Sequence, residues 1–259
     1  ELGTRCYRDP MQHHDQTRRL YIATALIYAA MFAYTLLRWD SIPDPVSVHI
    51  GVGGEVDGIA PKTFLSTMAV VLIGAAISLG TALIMPAANL TRATNPDTQI
   101  TPQLPFSETA AQRAELLIDK TQLFVAQLIL GTALLLSLVH LRLVFPDVPV
   151  PFPVFIAAML AYIAWAIWSS IRLHRQAKQD HERIQEDAEE QQRITALSMK
   201  AGAGIYSEPS DPMAVAVLPS EPGKLQFNSA HPAGKRQLIR SGIGIVGAIA
   251  IPIVIGFAV

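Results

Sequence analysis

Trp39-Asp40-Ser41-Ile42-Pro43-Asp44-Pro45-Val46-Ser47-Val48-His49-Ile50-Gly51-Val52-Gly53-Gly54-Glu55-Val56-Asp57-Gly58-Ile59-Ala60-Pro61-Lys62 stands between two long apolar runs. That position makes it a connector between two membrane spans, and its pattern makes it more than a connector. Val46, Val48 and Ile50 alternate with Pro45, Ser47 and His49, which is strand spacing. The glycines that follow can take the positive φ angles of a tight turn. Asp57, Gly58 and Lys62 are expected at the start of the next helix, where Asp57 or Gly58 would shape the turn.

Outward from this stretch the chain reads as alternating apolar and polar segments. Of its 259 residues 51% are hydrophobic and only 16% charged, with mean hydropathy +0.33. Soluble domains carry about 25% charged residues. Residues 20–37 and 64–85 flank the connector, and 122–144, 153–171 and 238–259 are three further runs; each is long enough to cross the hydrocarbon layer. Arg38 and Trp39 end the first run, and Trp165 and Trp168 lie near the end of the fourth, as interface residues do. Gly74/Ser78 and Ala76/Gly80 have the small-x-x-x-small spacing that lets helices approach closely in lipid. Gly242-x-Gly244-x-x-Gly247 matches a dinucleotide-binding fingerprint only formally. It opens an apolar run rather than joining a strand to a helix, so helix packing is its expected role.

The polar segments are 1–19, the connector 38–63, the loop 86–121, a charged helix over 172–201 and a β module over 202–237. Ser107 is placed to N-cap a helix ahead of the third span. The charged helix has no Gly or Pro, and its apolar positions are too sparse for a coiled coil. It reads as a solvated stalk, with His174 and His181 solvated as well. The strand-like Ala214–Leu218 and Leu225–Asn228 read as a β hairpin. A hairpin alone is marginal in water, so it must lean on the stalk, on the 86–121 loop or on a partner. The predicted fold is an all-α integral membrane protein with five transmembrane helices, an ordered extracytoplasmic loop and a small cytoplasmic β hairpin module.

Pro45, His49, Gly54, Asp57 and Lys62 form Pro-x3-His-x4-Gly-x2-Asp-x4-Lys. This pattern resembles the signature of a bacterial polytopic membrane family of unknown function that includes the immunity protein of the sporulation-delaying-protein toxin system. The resemblance implies a bacterial plasma-membrane protein. The β module resembles a short C-terminal module of some relatives, on Tyr206, Pro209, Asp211, Pro212, Phe227, Asn228, His231 and Pro232. The basic Pro-Lys-Arg between the strands of that module is replaced here by Leu218-Pro219-Ser220-Glu221. Leu2-Gly3-Thr4-Arg5 resembles the Phe-Gly-x-Arg that follows a first span in relatives, so a further span is expected before residue 1.

Lys and Arg number four in residues 1–19, three in 86–121 and ten in 172–240, against two in the connector and none in 145–152. Positive charge marks the cytoplasmic side. Residue 1 is therefore expected in the cytoplasm and the connector and Val259 outside. The sequon Asn89-Leu90-Thr91 then falls on the side where it is not modified. His49, Asp57 and Lys62, with His140 and Arg142 in support, could form one small polar site. Hydrogen bonding of His49 and Asp57 to the loop backbone is the leading expectation, and snorkelling to the interface is expected of Arg142.

Net charge is −1 and nothing points to nucleic acid. The lone Cys6 cannot form an internal disulfide, and the motifs imply no cofactor. The leading expectation is a non-enzymatic accessory, sensory or immunity-type protein that contacts a secreted peptide or an integral membrane partner through the loop. A cytoplasmic protein could dock on the stalk and β module. The alternatives are a structural subunit of a larger membrane complex or transporter, with the small-residue faces as interfaces, and a membrane enzyme with a metal at His49 and Asp57.

Overall fold

A computed structural model describes residues 10–51, 53–93, 104–197 and 203–259. The expectations for Leu2–Arg5 and Cys6 lie outside them. Among the described residues there are six α-helices: α1 Pro10–Leu37, α2 Phe64–Ile84, α3 Glu108–Val144, α4 Phe152–Arg183, α5 Ala188–Leu197 and α6 Pro232–Ala258. All but α5 contain stretches long and apolar enough to cross a membrane. Their outward faces carry Leu26, Leu79, Leu134, Leu160, Val246 and Phe257, all exposed, as side chains meeting lipid would be. The chain is compatible with a multi-pass membrane protein.

Two compact units divide the chain. The helical unit comprises Asp15–Ala82, Val125–Ile167 and Gly244–Val259. Its interior holds Tyr28, Val71 and Ala133. Tyr28 Oη and Ser78 Oγ lie 3.1 Å apart, and a Cβ at Gly74 would sit 2.8 Å from Leu136 Cδ1. Gly80 faces Gly244 and Ala248 of α6, with Ala248 Cβ 2.7 Å from where its own Cβ would be. The small-residue spacing of α2 is thus used for packing inside the chain, and of the three fingerprint glycines only Gly244 takes part. Gly242 and Gly247 have nothing within 4 Å of a built Cβ. Pro252 lies within α6.

The mixed unit comprises Leu83–Phe124 and Trp168–Ile243. Here the structure departs from the sequence reading in five ways. Ser107 does cap α3, its Oγ accepting from Ala110 N at 3.0 Å, but the expected short helix and the third run are one continuous helix. The charged stretch is not one helix. It breaks after Arg183, and Asp187 starts α5 by accepting from Glu190 N at 2.7 Å. Nor is it a solvated stalk: Ala177, Glu190, Arg193 and Leu197 are buried, and His181 is only 16% exposed while His174 remains exposed. Finally, the β hairpin is a three-stranded sheet, and α6 begins at Pro232 rather than at 238.

That sheet has strand order β3–β5–β4, from Ile205–Tyr206, Leu225–Asn228 and Val215–Val217. The third strand arises because Tyr206 is tied to Asn228 in a parallel pairing. The sheet leans where a marginal hairpin must. Val215 and Val217 pack with Ala114, Leu117 and Ala177, and Ala216 and Leu218 pack with Leu104, Leu197 and Tyr206.

Two buried ion pairs bind α5 into this core. Arg193 pairs with Asp211, and Arg113 with Glu190. Asp211 is fully engaged, accepting from both Arg193 Nη atoms, from Tyr206 Oη at 2.8 Å and from Met213 N at 2.8 Å. Breaking such a pair from one side leaves a buried charge, which costs roughly 3–5 kcal/mol. Asp211→Ala should therefore lower the thermal unfolding midpoint of the purified protein strongly, whereas exposed Glu189→Ala should hardly move it. Equal midpoints for wild type and Asp211→Ala would show that the pair does not hold the unit together.

Candidate functional site

The connector of the helical unit folds into a second, two-stranded antiparallel sheet, β1 Val46–Ile50 and β2 Val56–Ala60. The first strand is where the alternation placed it. Asp57 and Gly58, by contrast, lie in β2 and not at a helix start, because α2 waits for Thr63. Thr63 Oγ1 accepts from Ser66 N at 3.1 Å and Ser66 Oγ from Thr63 N at 3.0 Å, a reciprocal cap. The strand register is irregular on either side of His49, which stands opposite Gly58. A side chain at 58 would meet His49 Cβ at 2.7 Å, so this place in β2 admits only hydrogen. The turn is closed by Gly51 N to Glu55 O at 2.7 Å and Gly54 N to Gly51 O at 2.9 Å.

Three anchors fix the hairpin. Fully buried Val46 packs with Ile42, Leu143, Val144 and Phe145. Lys62 N donates to Asp44 Oδ1 at 3.0 Å and Lys62 Nζ to Ile42 O at 2.9 Å, with the ammonium over the Trp39 ring. Arg142 Nη2 donates to Gly54 O and Nη1 to Val150 O, both at 2.6 Å, and its guanidinium lies over Phe152. Arg142 therefore does not snorkel away from its helix. It is recruited by the turn. Gly54 has φ +89°, and its Cβ would lie 2.6 Å from Phe152 Cδ1, so the turn, the ring and the arginine fit together only around glycine. Beside them Arg38 pairs with Asp147 at 2.7 Å; the guanidinium holds the Asp147 carboxyl below its ordinary range.

The single polar site expected from the sequence is thus divided. His49 Nδ1 pairs with Asp57 Oδ1, both side chains exposed, rather than with the loop backbone. Lys62 is occupied with Ile42 and Trp39, and Arg142 with Gly54 and Val150. His140 is fully buried and meets Thr35 Oγ1 at 2.7 Å. The Thr35 hydroxyl hydrogen goes to Met31 O at 2.8 Å, so His140 donates from Nε2 to Thr35 Oγ1. Pro45 is exposed, after a cis Asp44–Pro45 peptide. Around the His49–Asp57 pair, Val56 is 47% and Ile59 68% exposed. Among the described residues no three His, Cys, Asp or Glu side chains converge as metal ligands. An exposed imidazole–carboxylate pair can both donate and accept hydrogen bonds toward a partner.

Residues 26–74 match the model of a domain-of-unknown-function family, DUF1648. The match takes in the hairpin, the end of α1 and the first half of α2, less than half of the chain. No curated protein and no solved structure matches.

In the mixed unit, the residues singled out in the β module turn out to build it. Tyr206 and Asp211 belong to the Arg193 network. Asn228 Nδ2 donates to Glu208 O at 2.9 Å, and its Oδ1 accepts from Glu208 N and Ala230 N at 3.1 Å. Phe227 packs beside Leu90, Ala214 and Ala233. His231 Nδ1 accepts from Ala233 N at 3.2 Å and caps α6 ahead of Pro232. Pro209 and Pro212 flank the turn that presents Asp211. Sequence reasoning missed Arg193 and Glu190. The signal was there, since Asp187-x-x-Glu190 is a helix-start pattern inside a stretch read as one helix.

Gly54→Ala should cost more than the ~1–2 kcal/mol of a left-handed non-glycine residue, because it also meets Phe152. Hydrogen exchange in full-length protein should show lost protection of the β1 and β2 amides for Gly54→Ala and for Arg142→Gln. Gly242→Ala, in open space on a helix, should leave it unchanged. Undiminished protection in both hairpin variants would mean that these anchors are not what fixes it.

Proposed function

We propose that this chain is a non-enzymatic accessory or sensory membrane protein that recognises a peptide or protein partner through the hairpin of residues 46–60. The observation that carries the reading is the contrast between how firmly the hairpin is seated and what it leaves outward. Val46, Lys62 and Arg142 hold it, while His49, Asp57, Val56 and Ile59 are presented to the surroundings. A two-stranded sheet also keeps open edges, to which an extended peptide can add by backbone hydrogen bonds. Preorganisation of this kind lowers the entropy lost on binding.

The likeness of the Pro45–Lys62 motif to toxin-immunity proteins extends the proposal. Such a partner would be a secreted peptide, and the site would face outward from a bacterial plasma membrane, as the distribution of Lys and Arg suggests. The subunit alternative rested on the small-residue faces of α2 and α6. Gly80, Gly244 and Ala248 pack on each other while Gly242 and Gly247 face open space, so that alternative keeps only part of its motive. Among the described residues the metal alternative has only His49 and Asp57 to work with.

The test is recovery of the tagged protein from native membranes in mild detergent, with mass spectrometry of what stays bound. A partner that copurifies with wild type should be lost from His49→Ala/Asp57→Ala, whose exposed substitutions leave the fold intact. An identical set of bound proteins from both would overturn the reading.

A further inference from the structure

The mixed unit contains a cavity of about 290 Å³. It lies between the short 3₁₀ turn Ala88–Arg92 and the first turns of α6. Leu90 and Ala233, both buried, form its floor, and Asn89, Arg236, Gln237 and Arg240 its polar wall. Among the described residues no acidic side chain lines it. Arg236 and Arg240 are one helical turn apart and share the opening. Like charges at this spacing repel, and a bound anion turns the repulsion into joint attraction. Among the described residues Arg236 has no hydrogen bond or ion pair.

Gln237 anchors one side of the cavity. Gln237 is buried, and its Nε2 donates to Ile84 O at 3.0 Å and Ser241 Oγ at 3.1 Å. This holds α6 against the end of α2 and keeps the two arginines at the cavity mouth. Beyond Arg240 the helix becomes wholly apolar, from Ile243 to Ala258. The guanidinium groups therefore stand where an apolar helix turns polar, which is headgroup depth in a bilayer. Guanidinium presents paired donors that match phosphate oxygens, and basic pockets beside membrane helices are suited to anionic headgroups.

We propose that this cavity binds a phosphate group, supplied by the phosphodiester of an anionic phospholipid, with Arg236 and Arg240 as its ligands. Asn89 would add a neutral donor. A free phosphate would satisfy the same arginines, so the two sources are separated experimentally.

Full-length protein in neutral detergent with phosphatidylcholine is titrated separately with phosphatidylglycerol and with inorganic phosphate, and the unfolding midpoint is followed. Phosphatidylglycerol should raise the midpoint saturably. Arg236→Gln/Arg240→Gln should weaken that effect about tenfold. Lys235→Gln, exposed and outside the lining, should not. The proposal is overturned if the double variant, with its midpoint in phosphatidylcholine unchanged, responds to phosphatidylglycerol as wild type does. It is overturned equally if neither anion gives a saturable shift. A saturable response to inorganic phosphate alone, lost in the double variant, would keep the phosphate site and overturn the lipid as its source.

Discussion

A charged group at the end of an apolar helix must find partners or water, and in the helical unit the answer is Arg142. Its guanidinium takes two backbone carbonyls, one from the turn of the β1–β2 hairpin and one from the segment before α4. The carbonyls are oriented dipoles, so the arginine is stabilised without a carboxylate. In return, a turn that would otherwise hang from two strand ends is tied to a rigid helix. The rest of the hairpin follows from this contact. Gly54 must reach φ +89° for its carbonyl to face the guanidinium, Phe152 fills the space a side chain would occupy, and Val46 seals the underside.

The mixed unit solves the same problem by the opposite means. Arg113 and Arg193 are almost fully buried and each has a carboxylate. Buried pairs gain little net stability over apolar residues, yet they punish misalignment heavily. They thereby fix which face of α5 meets the sheet. Asp187 works within the same set. Burial alone would raise its carboxyl, but hydrogen bonds from Glu190 N, Ser107 and Thr109 pull it below its ordinary value. It stays ionised as the cap of α5.

Much of this was legible in sequence, and the remainder was hidden for identifiable reasons. The apolar runs announce themselves by length, and α2 differs from its expected bounds by a single residue. The first strand of the hairpin was readable by alternation, but β2 was not, because Val56-Asp57-Gly58-Ile59-Ala60 carries a glycine that only its opposition to His49 explains. The motif residues all lie in or beside the hairpin, yet spacing could not say that His49 and Asp57 would pair with each other while Lys62 and Arg142 turned to carbonyls. The charged stretch misled most. Gln, Glu and Arg in a run without Gly or Pro look like a solvated helix, and only tertiary partners such as Asp211 reveal that Arg193 is interior.

Pro252 has an effect that reaches beyond its own turn. It supplies no N–H, so the carbonyl of Ala248, four residues earlier, lacks an intrahelical donor. Ala248 is also where α6 presses against Gly80. The softest point of the helix therefore falls immediately after its most tightly clamped one. A bend at this point would move only the last two turns of α6, letting them follow bilayers of different thickness while the α2 crossing keeps its register.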